Sequence, residues 1–149
     1  MAEFKEIVRI GNADLNGNKK LMYALTRIKG VKYMFANAIC EALGLDKNMK
    51  VGNLSDDDIE KIEDAIRNPS KYNIPSWLFN RRKDPETGED IHLISNDLDF
   101  AIQQDLNLLK KTKSYRGIRH ALGLPVRGQR TKSNFRKSKV VRNRKIKSR

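Results

Sequence analysis

YRGIRHALGLPVRGQRTKSNFR, residues Tyr115–Arg136, divides the chain into a part that can fold on itself and a part that needs a partner. Leu122, Leu124 and Val126 are too few to build a core. Gly117, Gly123 and Gly128 let the backbone bend and approach a surface closely, and Pro125 favours an extended middle. Arg116, Arg119, Arg127 and Arg130 carry the charge as guanidinium forks, which match phosphate oxygens two at a time and stack on bases. Gln129, Thr131, Ser133 and Asn134 add hydrogen-bonding groups suited to phosphate and sugar. The reading is a segment that becomes ordered by lying on a nucleic acid.

Outward from this stretch the charge is lopsided. The 149-residue chain has a formal net charge of +13. Residues 1–105 hold all 18 acids and 15 bases, a net of −3. Residues 106–149 hold 16 bases and no acid. Such a segment repels itself and calls for a polyanion. The last stretch, Lys137–Arg149, keeps Arg142, Arg144, Lys145, Lys147 and Arg149 with only three apolar residues, so alone it is expected to be disordered. The expected organisation is a helical body over 1–110 and a basic arm and tail over 111–149.

The body reads as mainly α. Leu21, Ala24, Leu25 and Ile28 share one face of a helix over Lys19–Ile28, with Asn18 as its N-cap after an Asn16-Gly17 turn. Ala36, Ile39, Cys40 and Leu43 make a second stripe ended by Gly44. Ser55 caps a third helix, with Asp58 three residues on and a Leu54/Ile59 staple; Ile59, Ile62 and Ile66 form its stripe, and Asn68-Pro69 ends it. Asp56, Asp57 and Asp58 suit the positive end of that helix, so the acidic run needs no metal. Ile7–Ile10 is at most a lone strand with no sheet to join. An extension over about 69–95 is punctuated by Pro69, Pro75 and Pro85, with Trp77, Leu78 and Phe79 as expected anchors and a short hairpin around Pro85–Gly88. Ser95 or Asn96 then caps a fourth helix whose stripe is Leu98, Ile102, Leu106 and Leu109.

No run approaches the roughly 20 apolar residues that a membrane helix needs. The first residues lack an apolar stretch of signal-peptide length, which points to the cytoplasm. Cys40 alone can make neither an internal disulfide nor a Cys-rich zinc site, and it reads as a buried small hydrophobe. Catalysis finds little support: His92 and His120 are far apart, and no nucleophile elbow, metalloprotease helix or Walker-type loop occurs. No cofactor or metal is expected. The link Lys29-Gly30-Val31-Lys32 between the first two helices is a candidate phosphate-binding hairpin, since amides at a helix start favour an anion; a Gly turn needed for packing alone fits equally well.

The Tyr115–Arg136 stretch closely resembles the signature of the S-thirteen family of small-subunit ribosomal proteins, in Arg116-Gly117, Arg119-His120, Gly123–Thr131 and Asn134. The resemblance extends to Arg9-Ile10, Leu25-Thr26-x-Ile28-x-Gly30-Val31, Ala38-Ile39 and Leu54-Ser55 with its acidic helix, and so to nearly the whole chain. Lys32 stands where many bacterial members have glycine, and the segment from about Ser70 to Ile94 is longer, as in the archaeal and eukaryotic branch. The resemblance implies a helix–two-turns–helix domain with an extended basic C-terminal tail, in the head of the small ribosomal subunit. It implies Arg116, Arg119, His120, Arg127, Gln129, Arg130, Thr131, Lys132, Asn134 and Arg136 as ribosomal RNA contacts. It also implies the S-nineteen family head protein as neighbour, bridges to the large subunit through ribosomal RNA and the L-five family protein, and a tail near tRNA. The rival reading is a non-ribosomal helix–two-turns–helix DNA-binding module. An RNA-modifying enzyme has neither nucleophile nor cofactor loop in its favour.

Overall fold

The computed structural model describes residues 4–132. They form β1 (Ile7–Ile10), β2 (Ala13–Asn16), α1 (Leu21–Leu25), α2 (Tyr33–Ala42), α3 (Asp56–Arg67), α4 (Ser95–Lys111) and α5 (Tyr115–Ala121). The chain divides into two compact units, Met1–Asp99 and Phe100–Arg149. The mainly helical fold is as expected.

The first unit opens on a hairpin that corrects the reading of Ile7–Ile10 as a lone strand. Its partner is Ala13–Asn16, in the register Ile7↔Asn16 to Ile10↔Ala13. The two turn residues, Gly11 and Asn12, have φ of 55° and 63°. Positive φ at both central positions is the type I′ geometry that matches strand twist. Val8, Ile10 and Leu15 point into the core, while Ile7 and Arg9 are exposed. The second strand is hard to read in sequence because Leu15 is its one large apolar residue.

The helical stripes pack as expected. Leu21, Ala24, Leu25, Ile28, Ala36, Ile39, Cys40, Ile62 and Ile66 are all buried in one core with Val31, Phe35, Val51 and Leu54. Cys40 is a packing residue, and burial raises its thiol pKa above the ordinary value. The first helix is shorter than expected. Its N-cap is Lys20, without a side-chain cap, and the Leu21 amide donates to the Met49 carbonyl at 2.8 Å. Asn18 instead donates its own amide to the Asn16 side chain at 2.9 Å. After Thr26 the chain tightens into i→i−3 bonds, which still deliver Ile28 to the core. The third helix has its expected Ser55 cap: Ser55 Oγ accepts from the Asp58 amide and donates to the Asp58 carboxylate.

Of the three anchors expected in the extension over 69–95, Phe79 and Leu78 pack on the core and Trp77 does not. Ile74 and Phe79 are buried, Leu78 is partly buried, and Trp77 is 63 % exposed, so Trp77 is not an anchor. It sits in a single 3-10 turn, Ser76–Leu78, too short to turn all three large side chains inward. The expected hairpin is a one-bridge pairing of Arg81 with Ile91. Asp84 organises its tip by accepting from the Glu86 and Thr87 amides, the Thr87 hydroxyl and the Arg81 guanidinium. The Arg81 contact comes first in holding the Asp84 carboxyl below its usual range. His92 stacks on Phe35 with ring centroids 3.8 Å apart, and its Nδ1 accepts from the Asn80 amide at 3.4 Å. Its Nε2 has no partner, and burial lowers the imidazole pKa to about 4. It is a neutral core histidine.

In α4, the expected stripe does not become core. Among the large apolar residues from Phe100 to Leu124 none is buried; Phe100, Ile102 and Leu108 are exposed, and Ala101 is the buried apolar side chain. Of the stripe itself, Leu98, Leu106 and Leu109 are partly buried and Ile102 is exposed, so the spacing marks a helix face that is only partly covered among the described residues.

Candidate nucleic-acid interface

The arm contains a helix that the charge pattern concealed. Ser114 caps it: Ser114 Oγ accepts from the Gly117 amide and donates to the Leu109 carbonyl, both at 3.1 Å. The same hydroxyl thus fastens the end of α4 to the start of α5. Gly117 fits this junction because it has no Cβ; an added one would lie 2.0 Å from the Leu109 carbonyl oxygen. Its role is therefore close packing within the chain. Gly123, at φ 66°, closes the helix, with the Leu124 amide donating to the Arg119 carbonyl at 2.9 Å.

Beyond the helix, Arg119 reaches forward. Its Nε donates to the Pro125 carbonyl at 2.9 Å, folding the Leu122–Pro125 loop back onto α5. The Arg127 amide donates to the Gln129 side chain at 3.1 Å. Arg116, Arg127, Gln129, Arg130, Thr131 and Lys132 are exposed, and His120 is partly exposed. The described part of the arm is thus a short helix, a pinned loop and an extended run, with no acid after Asp105 to offset its bases. Asn134, Arg136, Arg142, Arg144, Lys145, Lys147 and Arg149 lie outside the described residues, as does the expected disorder of Lys137–Arg149.

The Lys29–Lys32 hairpin has one closed side and one open side. Gly30 has φ 99°, and a Cβ there would meet the Leu93 carbonyl oxygen at 2.4 Å. The Lys29 carbonyl accepts from the Ser95 amide at 3.0 Å, and its ammonium pairs with Asp99. Gly30 therefore meets a packing demand. On the other side Lys32, the N-cap of α2, is exposed with Tyr33 and Met34, and no side chain caps the helix amides.

Among the described residues no cluster of His, Cys, Asp or Glu could hold a metal ion. No helix there is long and apolar enough to cross a membrane. His92 is buried against Phe35, and its Nε2 has no hydrogen-bond partner.

Residues 9–137 match the family model described as ribosomal protein S13/S18. The small ribosomal subunit protein uS13 of Methanothermobacter thermautotrophicus is 58 % identical over 139 residues, covering 93 % of each chain. The uS13 proteins of Methanopyrus kandleri and Nanoarchaeum equitans are 57 % and 53 % identical, covering 93 % and 92 % of this chain and 93 % and 90 % of their own lengths. A match that runs from the β1 strand through the arginine-rich arm, with archaeal relatives at this identity over nearly full length, makes this chain a member of the ribosomal protein S13/S18 family, of archaeal type.

Proposed function

We propose that the chain is a structural, non-enzymatic protein of the small ribosomal subunit, working in ribosomes in the cytoplasm and binding ribosomal RNA through its basic arm. The observation that carries this reading is the arm itself. It is acid-free beyond Asp105, and its exposed arginines are carried by a capped helix and a pinned loop. In this reading Arg116, His120, Arg127, Gln129, Arg130, Thr131 and Lys132 meet RNA, joined by Asn134 and Arg136. Arg119 contributes its remaining guanidinium N–H groups while its Nε holds the loop. The arm runs over 111–149, and the tail residues Arg142, Arg144, Lys145, Lys147 and Arg149 reach toward tRNA. The body, net −3 over 1–105, is left to meet proteins: the S-nineteen family neighbour and, across the subunit interface, the L-five family protein. The exposed start of α2 beside Lys32 offers the hairpin's amides to a phosphate.

Tagged chain expressed in cells and sedimented through a sucrose gradient is expected to co-migrate with small subunits and whole ribosomes. Recovery in free or DNA-bound fractions alone would contradict the proposal.

A further inference from the structure

The body is acidic overall, yet the segments that flank its first two helices are basic. Residues 15–40 contain Lys19, Lys20, Arg27, Lys29 and Lys32 and no acid, although the 1–105 region as a whole is negative. Lys20 is held by Asn48 and Lys29 by Asp99, while Lys19, Arg27 and Lys32 are exposed. The same stretch of chain carries two large aromatic side chains outside the core. Tyr23 on α1 is 52 % exposed and Tyr33 at the start of α2 is 44 % exposed. Their rings meet edge to face, with centroids 5.4 Å apart at 71°. Edge-to-face contact is a favoured geometry for two aromatic rings. The hydroxyl contact with Tyr23 also raises the Tyr33 pKa above the ordinary value.

An exposed aromatic pair needs an occupant, and the surrounding charge selects one. Arg27 lies four residues after Tyr23, just beyond the end of α1, and Lys32 immediately precedes Tyr33. Aromatic faces bordered by cations, with no acid nearby in sequence, suit an unpaired nucleobase flanked by phosphates. We propose that the outer face of α1 and the first turn of α2 form a second RNA-contact surface, remote in sequence from the arm, in which Tyr23 and Tyr33 stack an unpaired base while Arg27 and Lys32 hold the adjoining phosphates. The inference rests on the RNA-binding reading above and adds a site to it.

Stacking and phosphate contact leave different marks on salt dependence. Phosphate contacts release counterions and set the slope of log affinity against log salt; stacking does not. The test uses full-length chain and deproteinised small-subunit ribosomal RNA, measured over a salt series. Tyr23→Ala with Tyr33→Ala is expected to weaken binding roughly tenfold or more at unchanged slope. Tyr23→Phe with Tyr33→Phe, which keeps both ring faces, is expected to bind like the parent. Arg27→Gln with Lys32→Gln is expected to reduce the slope by about 0.7 to 0.9 per charge removed. An alanine pair binding within twofold of the parent, or a phenylalanine pair losing as much as the alanine pair, would overturn the proposal.

Ultraviolet crosslinking in intact small subunits provides a readout independent of variant folding. Adducts on the peptide containing Tyr23 or Tyr33 are expected, and adducts confined to arm peptides would sink the second surface while leaving the arm's role standing. If the parent chain itself shows no affinity for the RNA, the RNA-binding reading fails and this surface fails with it.

Discussion

The two compact units use apolar side chains in opposite ways. In the Met1–Asp99 unit, stripes from α1, α2 and α3 close on one another around Ile28, Ile39 and Ile62. In the Phe100–Arg149 unit, Phe100, Leu108, Tyr115, Ile118 and Leu122 are exposed, and the described backbone is organised by Ser114, Gly117 and Arg119 instead. One unit is stabilised by burial, the other by hydrogen bonds at a helix junction. A unit whose described residues bury few side chains, and which holds no acid beyond Asp105, has most of its described surface left for a partner.

That contrast can be broken by substitution, and the largest effect is expected in the core. Ile62→Ala removes a fully buried side chain and should lower stability by about 2–5 kcal/mol in thermal or denaturant unfolding. Ile118→Ser, at an exposed apolar position of the arm, should change it by less than about 0.5 kcal/mol. Comparable losses at the two sites would erase the distinction between the units.

Next comes the junction. Gly117→Ala places a methyl group against the Leu109 carbonyl and should cost about 1–3 kcal/mol of local stability. Hydrogen exchange should show it, with amides of α5 losing protection while those of α2 and α3 keep theirs. Loss of protection in α3 instead would mean that the two units unfold as one.

A smaller effect is expected at the caps. Ser55→Ala and Ser114→Ala each remove a hydroxyl that accepts from a helix amide, worth about 1 kcal/mol. The first should lower the melting temperature of the body. The second should loosen α5 with little effect on that transition.

His92 gives the body a pH signature. Its folded pKa, about 4, lies below the ordinary value of 6.5. As pH falls through that window the unfolded imidazole takes a proton before the folded one does, so stability is full above about 6.5 and declines toward 4. His92→Phe keeps the stack on Phe35 and should flatten that part of the pH profile in thermal melts. An unchanged profile would place the titration elsewhere.

Much of this was legible in sequence, and the misses have physical causes. The stripes through Leu21, Ile39 and Ile62 and the Ser55 cap are local patterns, and they appear where spacing puts them. The β1–β2 hairpin was hidden because Ala13–Asn16 has one large apolar residue, although Gly11-Asn12 is a recognised turn pair. The fourth stripe shows the converse limit: periodicity reveals an amphipathic helix but not whether anything covers it. In the arm, the dominance of charge and glycine masked α5, although Ser114 and Gly123 are ordinary start and stop signals. Among the described arginine candidates, Arg116, Arg127 and Arg130 are exposed and Arg119 partly so. That Arg119 also pins the Pro125 loop, and that Gly117 serves the junction, depends on tertiary neighbours no local pattern names.

The central claim is that the arm, not the folded body, supplies most of the electrostatic grip on ribosomal RNA. The most direct measurement is the salt dependence of RNA binding by full-length chain with Arg116, Arg119, Arg127 and Arg130 all changed to Gln. The account predicts a slope shallower by roughly 3 and a large loss of affinity at physiological salt. A variant that binds the same RNA with the parent's affinity and slope would contradict it.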